Sequence, residues 1–155
     1  VGKKPKHLKF QLPGKAPVVA REPEPHKVPR AAVSIDSHHH LRPSWRVSSL
    51  ELAEPYGWRS LTRETLLYIR EKLSHFESMT WSEILVNGKK RNHSIKVSEI
   101  TSEARRRLEA KALALDEVVS LRLSGAERVF GYLDNGVLVL LWWDPDHAVC
   151  PSLKK

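Results

Sequence analysis

Hydrophobic and polar positions change their period along this chain, and each change marks an element. Trp45 and Val47, then Leu50 and Leu52, alternate with polar residues up to Pro55 and Gly57, which predicts a strand at a sheet edge followed by a turn. Behind Thr62, a residue suited to an N-cap, Leu66, Ile69, Leu73 and Phe76 recur at helical spacing, while Arg63, Glu64, Arg70, Glu71 and Lys72 take the wet side. The sequence TWSE at 80–83 is a capping box and predicts a brief second helix burying Trp81, Ile84 and Leu85, ended by Asn87-Gly88. A third helix is expected from about Thr101 to Leu113, with Ala104, Leu108 and Ala112 on one side and Arg105, Arg106 and Arg107 around the other.

The last third switches to a period of two. In VVSLRLSG, Val119, Leu121 and Leu123 fall on one face, and Ser120 and Arg122 on the other. ERVFGYL repeats the pattern, and Asp134-Asn135-Gly136 is a hairpin turn because Asn and Gly accept positive φ. VLVLLWW has no polar residue on either face, so it should be a central strand covered on both sides, with Trp142 and Trp143 pointing oppositely. One of the two is expected in the core; the other would shield a cluster or offer a stacking face to a base. Three helices followed by three strands, with a leading strand, indicate an α+β fold in which about three helices cover one face of a small antiparallel sheet.

Charge redraws the first part of the chain. Residues 1–43 carry nine Lys/Arg against three acids, and seven of the ten prolines, within a chain of 155 residues and net charge +8. Such a segment cannot continue a helix or pair as a central strand, and it has few large apolar residues to bury. It is expected to be a disordered Pro-rich basic arm, followed by a single domain over 44–155. Arms of this kind hold phosphate backbones, wrap partner proteins or simply solubilise. The run His38-His39-His40 lies within it, where a flexible chain cannot turn three consecutive rings toward one ion, so no metal site is expected there. The single Cys150 has no disulfide or zinc companions and reads as an idle thiol. No apolar run reaches a bilayer-spanning length and no signal-peptide core is present, so a cytoplasmic protein without membrane contact is expected.

Candidate chemistry gathers in two places. GKKRNHSIKV, residues 88–97, sets Lys89, Lys90, Arg91 and Lys96 around Asn92 and His93, which puts phosphate-seeking donors beside a group titrating near neutrality. It reads as a nucleic-acid-binding loop or as a solvated loop with an idle histidine; Arg105 and Arg106 would extend the same surface. The second place is LLWWDPDHAVCPS, where the apolar strand ends at Asp144, Asp146 and His147. Asp before Pro is also what a plain turn prefers, because Asp accepts local N–H groups and Pro fixes φ.

The segment LRLSGAERVFGYLDNGVLVLLWWDPDH resembles in layout the C-terminal sheet of the RelE/ParE toxin superfamily. That resemblance implies a toxin of a toxin–antitoxin system, a ribosome-associated mRNA endonuclease that needs no metal or other cofactor, with an antitoxin as partner. On it, Arg122 and Arg128 match the basic positions that neutralise phosphate in the transition state. His147, oriented by Asp144 or Asp146, would be the general acid or base, and His93 its rival. The chain departs from the compact toxin pattern in its basic arm, its longer helical region and its WWDPDH strand end. FESMTWSEI, RNHSI, SLRLSGAERVFG and LLWWDPDHAVCPS also resemble a group of small bacterial proteins of mobile-element type, which bears on the domain boundary rather than on a reaction. The alternative is a non-catalytic module whose basic arm binds nucleic acid or an acidic protein.

Overall fold

The computed structural model describes residues 38–152, so positions 1–37 of the expected arm over 1–43 lie outside the described residues. The remaining arm positions are docked. The Leu41 carbonyl accepts from Trp81 N (2.9 Å) and the His39 carbonyl from Ser82 N (2.8 Å), which ties the chain from His38 onward to the second helical segment.

Helix α1 spans Arg63–Phe76 and starts where expected, with the Thr62 hydroxyl accepting from Thr65 N. Its apolar stripe buries Ile69 and Leu73, whereas Leu66, near the first turn, stays half exposed. The capping box forms in both directions: Thr80 N donates to Glu83 Oε2 (2.7 Å), and Glu83 N donates to Thr80 Oγ1 (3.3 Å). It opens a short turn that is π-helical over Glu83–Asn87, and Trp81 and Ile84 are fully buried there. Helix α2, Ser102–Ala110, ends earlier than the spacing predicts. Lys111 caps it, and Ala112 turns to φ 54°, so Ala112 leaves the buried side that Ala104 and Leu108 keep.

Five strands form one sheet in the order β1 (Ser44–Arg46), β5 (Val137–Asp144), β4 (Glu127–Asp134), β3 (Glu117–Ser124) and β2 (His93–Lys96). The sheet is mixed, which corrects the antiparallel expectation: β1 is an edge strand, as predicted, but it ends at Arg46, leaving Val47 and Leu52 outside it and exposed, and it runs parallel to β5. A parallel neighbour needs a long crossover, and everything from α1 to β4 lies between the two. The second correction is β2, read from sequence as part of a loop. With Ile95 its only apolar residue, four residues carry no legible alternation. Ile95 is nevertheless buried with Ala104, Leu108 and Val118, and β2 pairs antiparallel with β3.

The helices do not share one face, contrary to expectation. Ile69, Leu73, Trp81 and Ile84 pack on Val119, Leu121, Val129, Leu138, Leu140 and Trp143, filling one side of the sheet. Ala104 and Leu108 of α2, together with Tyr56, pack on Val118, Phe130, Leu141 and Trp142 on the other. Strand β5 is therefore interior and covered twice, which is why its sequence is uniformly apolar. Alternation serves both faces, but the neighbours Leu141 and Trp142 pack on the same side, which takes a break in the period. A bulge provides it: Phe130 faces Trp142 but Gly131 faces Leu140, leaving Leu141 as the extra residue. The bulged Leu141 carbonyl accepts from Glu51 N (2.8 Å) and Trp58 Nε1 (3.2 Å), so the 51–58 segment seals the edge of β5 beyond β1. Among the described residues no helix is long and apolar enough to cross a membrane.

Candidate functional site

Strand register assembles the site. Arg122 lies opposite Arg128, and Arg128 opposite Asp144, so β3, β4 and β5 place these three side by side in one row. Directly opposed residues share a face. The adjoining row, two residues inward, runs His93, Ser120, Phe130 and Trp142. Both rows belong to the α2 side of the sheet; Ser120, Phe130 and Trp142 are covered there, while His93 is exposed on the edge strand and Arg122 at the end of its own. Ser120 is buried although the sequence put it on the wet face, because α2 and the Tyr56 loop roof that side.

Beyond Asp144 the chain turns back on itself. Asp144 is 1% exposed, and its two carboxylate oxygens accept from Ala148 N and Val149 N, each at 2.8 Å. Val149 is fully buried, and its carbonyl accepts from Thr101 N, the cap of α2. Between these anchors His147 takes a left-handed conformation, φ 57°. The plain turn role weighed for Asp144 is thus occupied by its carboxylate. No hydrogen bond joins it to the His147 ring among the described residues, so it acts on that imidazole by charge rather than by contact.

Electrostatics ties the members together. Burial holds the His147 imidazole below its ordinary value, and the Arg128 charge pushes it the same way. Asp144 opposes that shift, while His93 and Arg122 add to it. Burial likewise lowers Arg128, with Arg122 lowering it further and Asp144 pulling it back. His147 therefore sits in the field of both arginines and of His93. Arg128 donates to the Gly125 carbonyl (2.9 Å) and the Glu127 carbonyl (3.3 Å), and among the described residues neither Arg122 nor Arg128 makes an ion pair with a carboxylate.

The other expected site residues divide. Lys89, Lys90 and Arg91 occupy the exposed turn before β2, and Arg91 borders a cavity of about 230 Å3 with Arg122, Ser124 and Gly125. Lys96 sits at the far end of β2, opposite Glu117, and lines a different depression with Ser98 and Asp116. Arg105 donates to the Ser98 carbonyl (3.1 Å), and Arg106 pairs with Glu103 (2.7 Å). Arg107 pairs with Glu103 and reaches the Glu54 carbonyl while lying over the Tyr56 ring. These three arginines brace α2. Trp142 is sandwiched by Tyr56 and Phe130, ring centres 5.7 and 6.2 Å away, and Trp143 is buried on the other side, so both are core and neither offers a face to a base.

One residue of the site carried no signal of its own in the sequence. Asn92, 7% exposed, accepts from Arg122 N through Oδ1 at 2.9 Å. A side-chain amide thereby continues the β2–β3 ladder one step past the strand end, fixing Arg91 and His93 on either side of it against β3. Only its position between Arg91 and His93 could have drawn attention to it. No protein-family model, curated protein or solved structure matches the chain.

Proposed function

We propose that this chain acts on RNA as a RelE-type toxin, a metal-independent endoribonuclease working on ribosome-bound mRNA in the cytoplasm, with an antitoxin as its partner. The observation supporting this reading is the row Arg122, Arg128 and Asp144 with His147 in its field and His93 in the adjoining row, two cations on neighbouring strands without a paired carboxylate among the described residues. Like charges held together this way favour an anion between them, and a phosphodiester matches two guanidiniums.

The chemistry follows from those groups. His147, kept neutral at pH 7 by burial and by Arg128, takes the proton of a ribose 2′-hydroxyl. The freed oxygen attacks the adjacent phosphorus, the bond to the 5′-oxygen breaks, and His93 supplies that oxygen with a proton. The products are a 2′,3′-cyclic phosphate and a 5′-hydroxyl. Arg122 and Arg128 hold the non-bridging oxygens as their charge grows, a contribution of about 10²–10³ in rate for a preorganised donor. His147→Ala and His93→Ala should each lower cleavage of ribosome-bound mRNA about 10²–10⁴-fold while RNA still binds. Arg122→Ala and Arg128→Ala should lower both. Intact mRNA after incubation with native protein, together with harmless expression, would rule out the nuclease.

A second reading has its own support. Both Asp144 oxygens are spent on backbone N–H groups, and among the described residues no carboxylate bonds to the His147 ring. A module that binds RNA or an acidic protein without cleaving needs no oriented base. Binding that survives every histidine substitution, with no cleavage by the native chain, would select it.

A further inference from the structure

Arg91 and Arg122 border the same cavity, about 230 Å3, on the flank of Arg122 away from Arg128. Register explains how they meet. His93 is opposite Ser120, so an uninterrupted β2 would set Arg91 opposite Arg122. The strand stops at His93, and the Asn92 amide takes its place on Arg122 N, which holds Arg91 near that position in a turn closed by Arg91 N and Asn92 N on the Gly88 carbonyl (2.8 and 3.0 Å). The rest of the cavity wall is Leu123, Ser124 and Gly125. A Cβ built on Gly125 would meet nothing within 4 Å, so backbone lies open there. Among the described residues, no carboxylate pairs with either guanidinium. Two exposed guanidiniums on one shallow cavity, beside open backbone, set a second pair of cations next to the first, with Arg122 common to both.

Resting on the RNA reading, we infer that the Arg91–Arg122 cavity is a second phosphate subsite, which takes the phosphate adjoining the scissile one and makes the enzyme's ligand a strand with at least two consecutive phosphates. Arg91 sits two strand spacings from Arg128, roughly 10 Å, and long guanidinium arms shorten that span toward a common ligand. Lys89 and Lys90 lie in the same turn but do not line the cavity, so they contribute field rather than contact.

The test uses the full chain carrying His147→Ala, to block cleavage, with uridylyl-uridine and its 5′- and 3′-phosphorylated forms titrated by calorimetry. One phosphorylated form should bind about tenfold more tightly than uridylyl-uridine, as one added charge-assisted contact implies. Arg91→Ala should erase that increment and leave uridylyl-uridine affinity within about twofold. Arg128→Ala should weaken all three ligands alike. An increment that persists in Arg91→Ala, or an absent increment while uridylyl-uridine binds, overturns the subsite and leaves the RNA reading standing. If no RNA binds, that reading fails, and orthophosphate titration followed at the Arg91 and Arg122 Nε–H resonances decides the subsite alone. Saturable shifts at both support it, and unmoved resonances overturn it.

Discussion

Asp144→Ala separates a carboxylate that builds the site from one that takes part in chemistry. The side chain is 1% exposed and accepts from two backbone N–H groups at 2.8 Å, one on buried Val149 and one on exposed Ala148. Each bond to a charged acceptor is worth about 1.5–3 kcal/mol, but water can replace the one at Ala148, so truncation should cost about 3 kcal/mol, most of it from the Val149 N–H left unpaired. For a packed body of about 115 residues, 38–152, that corresponds to a fall in Tm of about 10 °C. Differential scanning calorimetry at pH 7 measures it. Asp144→Asn retains one acceptor and should lose about half as much. Activity should fall in the alanine variant as well, because the turn carrying His147 loses its anchor, and should recover partly in the asparagine variant. A Tm within about 2 °C of wild type for Asp144→Ala would refute the reasoning and return Asp144 to a purely chemical role.

Other outcomes follow from the same contacts. Asn92→Ala leaves Arg122 N without an acceptor and should cost about 1–2 kcal/mol in urea unfolding, with Asn92→Asp near wild type; equal losses in the two would mean that the Oδ1 bond is not the cause. His147 is held below 6.5 in the fold, so between its lowered value and 6.5 the unfolded chain binds the proton more readily, and stability should decline as pH falls below about 6.5. His147→Ala should flatten that limb of a Tm-versus-pH curve, and an unchanged curve would remove the histidine from it. A bound phosphate should in turn raise the His147 pKa, seen as a shifted imidazole titration in NMR. Gly131→Ala would drive a Cβ into the Val139 carbonyl oxygen beside the bulge and should destabilise by about 1–3 kcal/mol or more by calorimetry; a neutral result would mean that the strands separate freely there. Glu83→Ala removes half of the capping box and should cost about 1 kcal/mol in urea unfolding, and an unchanged midpoint would show that Thr80 caps alone.

Local signals in the chain located the elements, although the spacing to Leu113 overran α2 and the Trp45–Leu52 alternation overran β1. Thr62 and Thr101 cap α1 and α2, the TWSE box closes, and the Asn135-Gly136 hairpin forms with both residues at positive φ. The alternation in β3 placed Arg122 opposite the face of Leu121, and so on the same side as Ser120. In the candidate site, Arg122, Arg128, Asp144, His147 and His93 were all legible as residue types, with Arg122 and Arg128 singled out by a resemblance. Lys96, Arg105 and Arg106 were equally legible as cations, but charge alone does not say where a side chain ends. Arg106 ends on Glu103, Arg105 on the Ser98 carbonyl, and Lys96 at the other end of its strand.

By itself the sequence determined the local conformations, since helical and strand periods, caps and turns depend on residues within a few positions of one another. Tertiary structure decided what depends on distant partners. It made β1 parallel to β5, turned residues 93–96 into a strand, and set α1 and α2 on opposite faces, because hydrogen-bonding edges and apolar faces are satisfied by whichever segment reaches them. It also spent both oxygens of Asp144 on a turn and gave the Asn92 amide to Arg122 N, since a buried donor takes the nearest acceptor. The meeting of His147 with Arg128 and Arg122 arises from register across three strands, a quantity that no stretch of this chain contains alone.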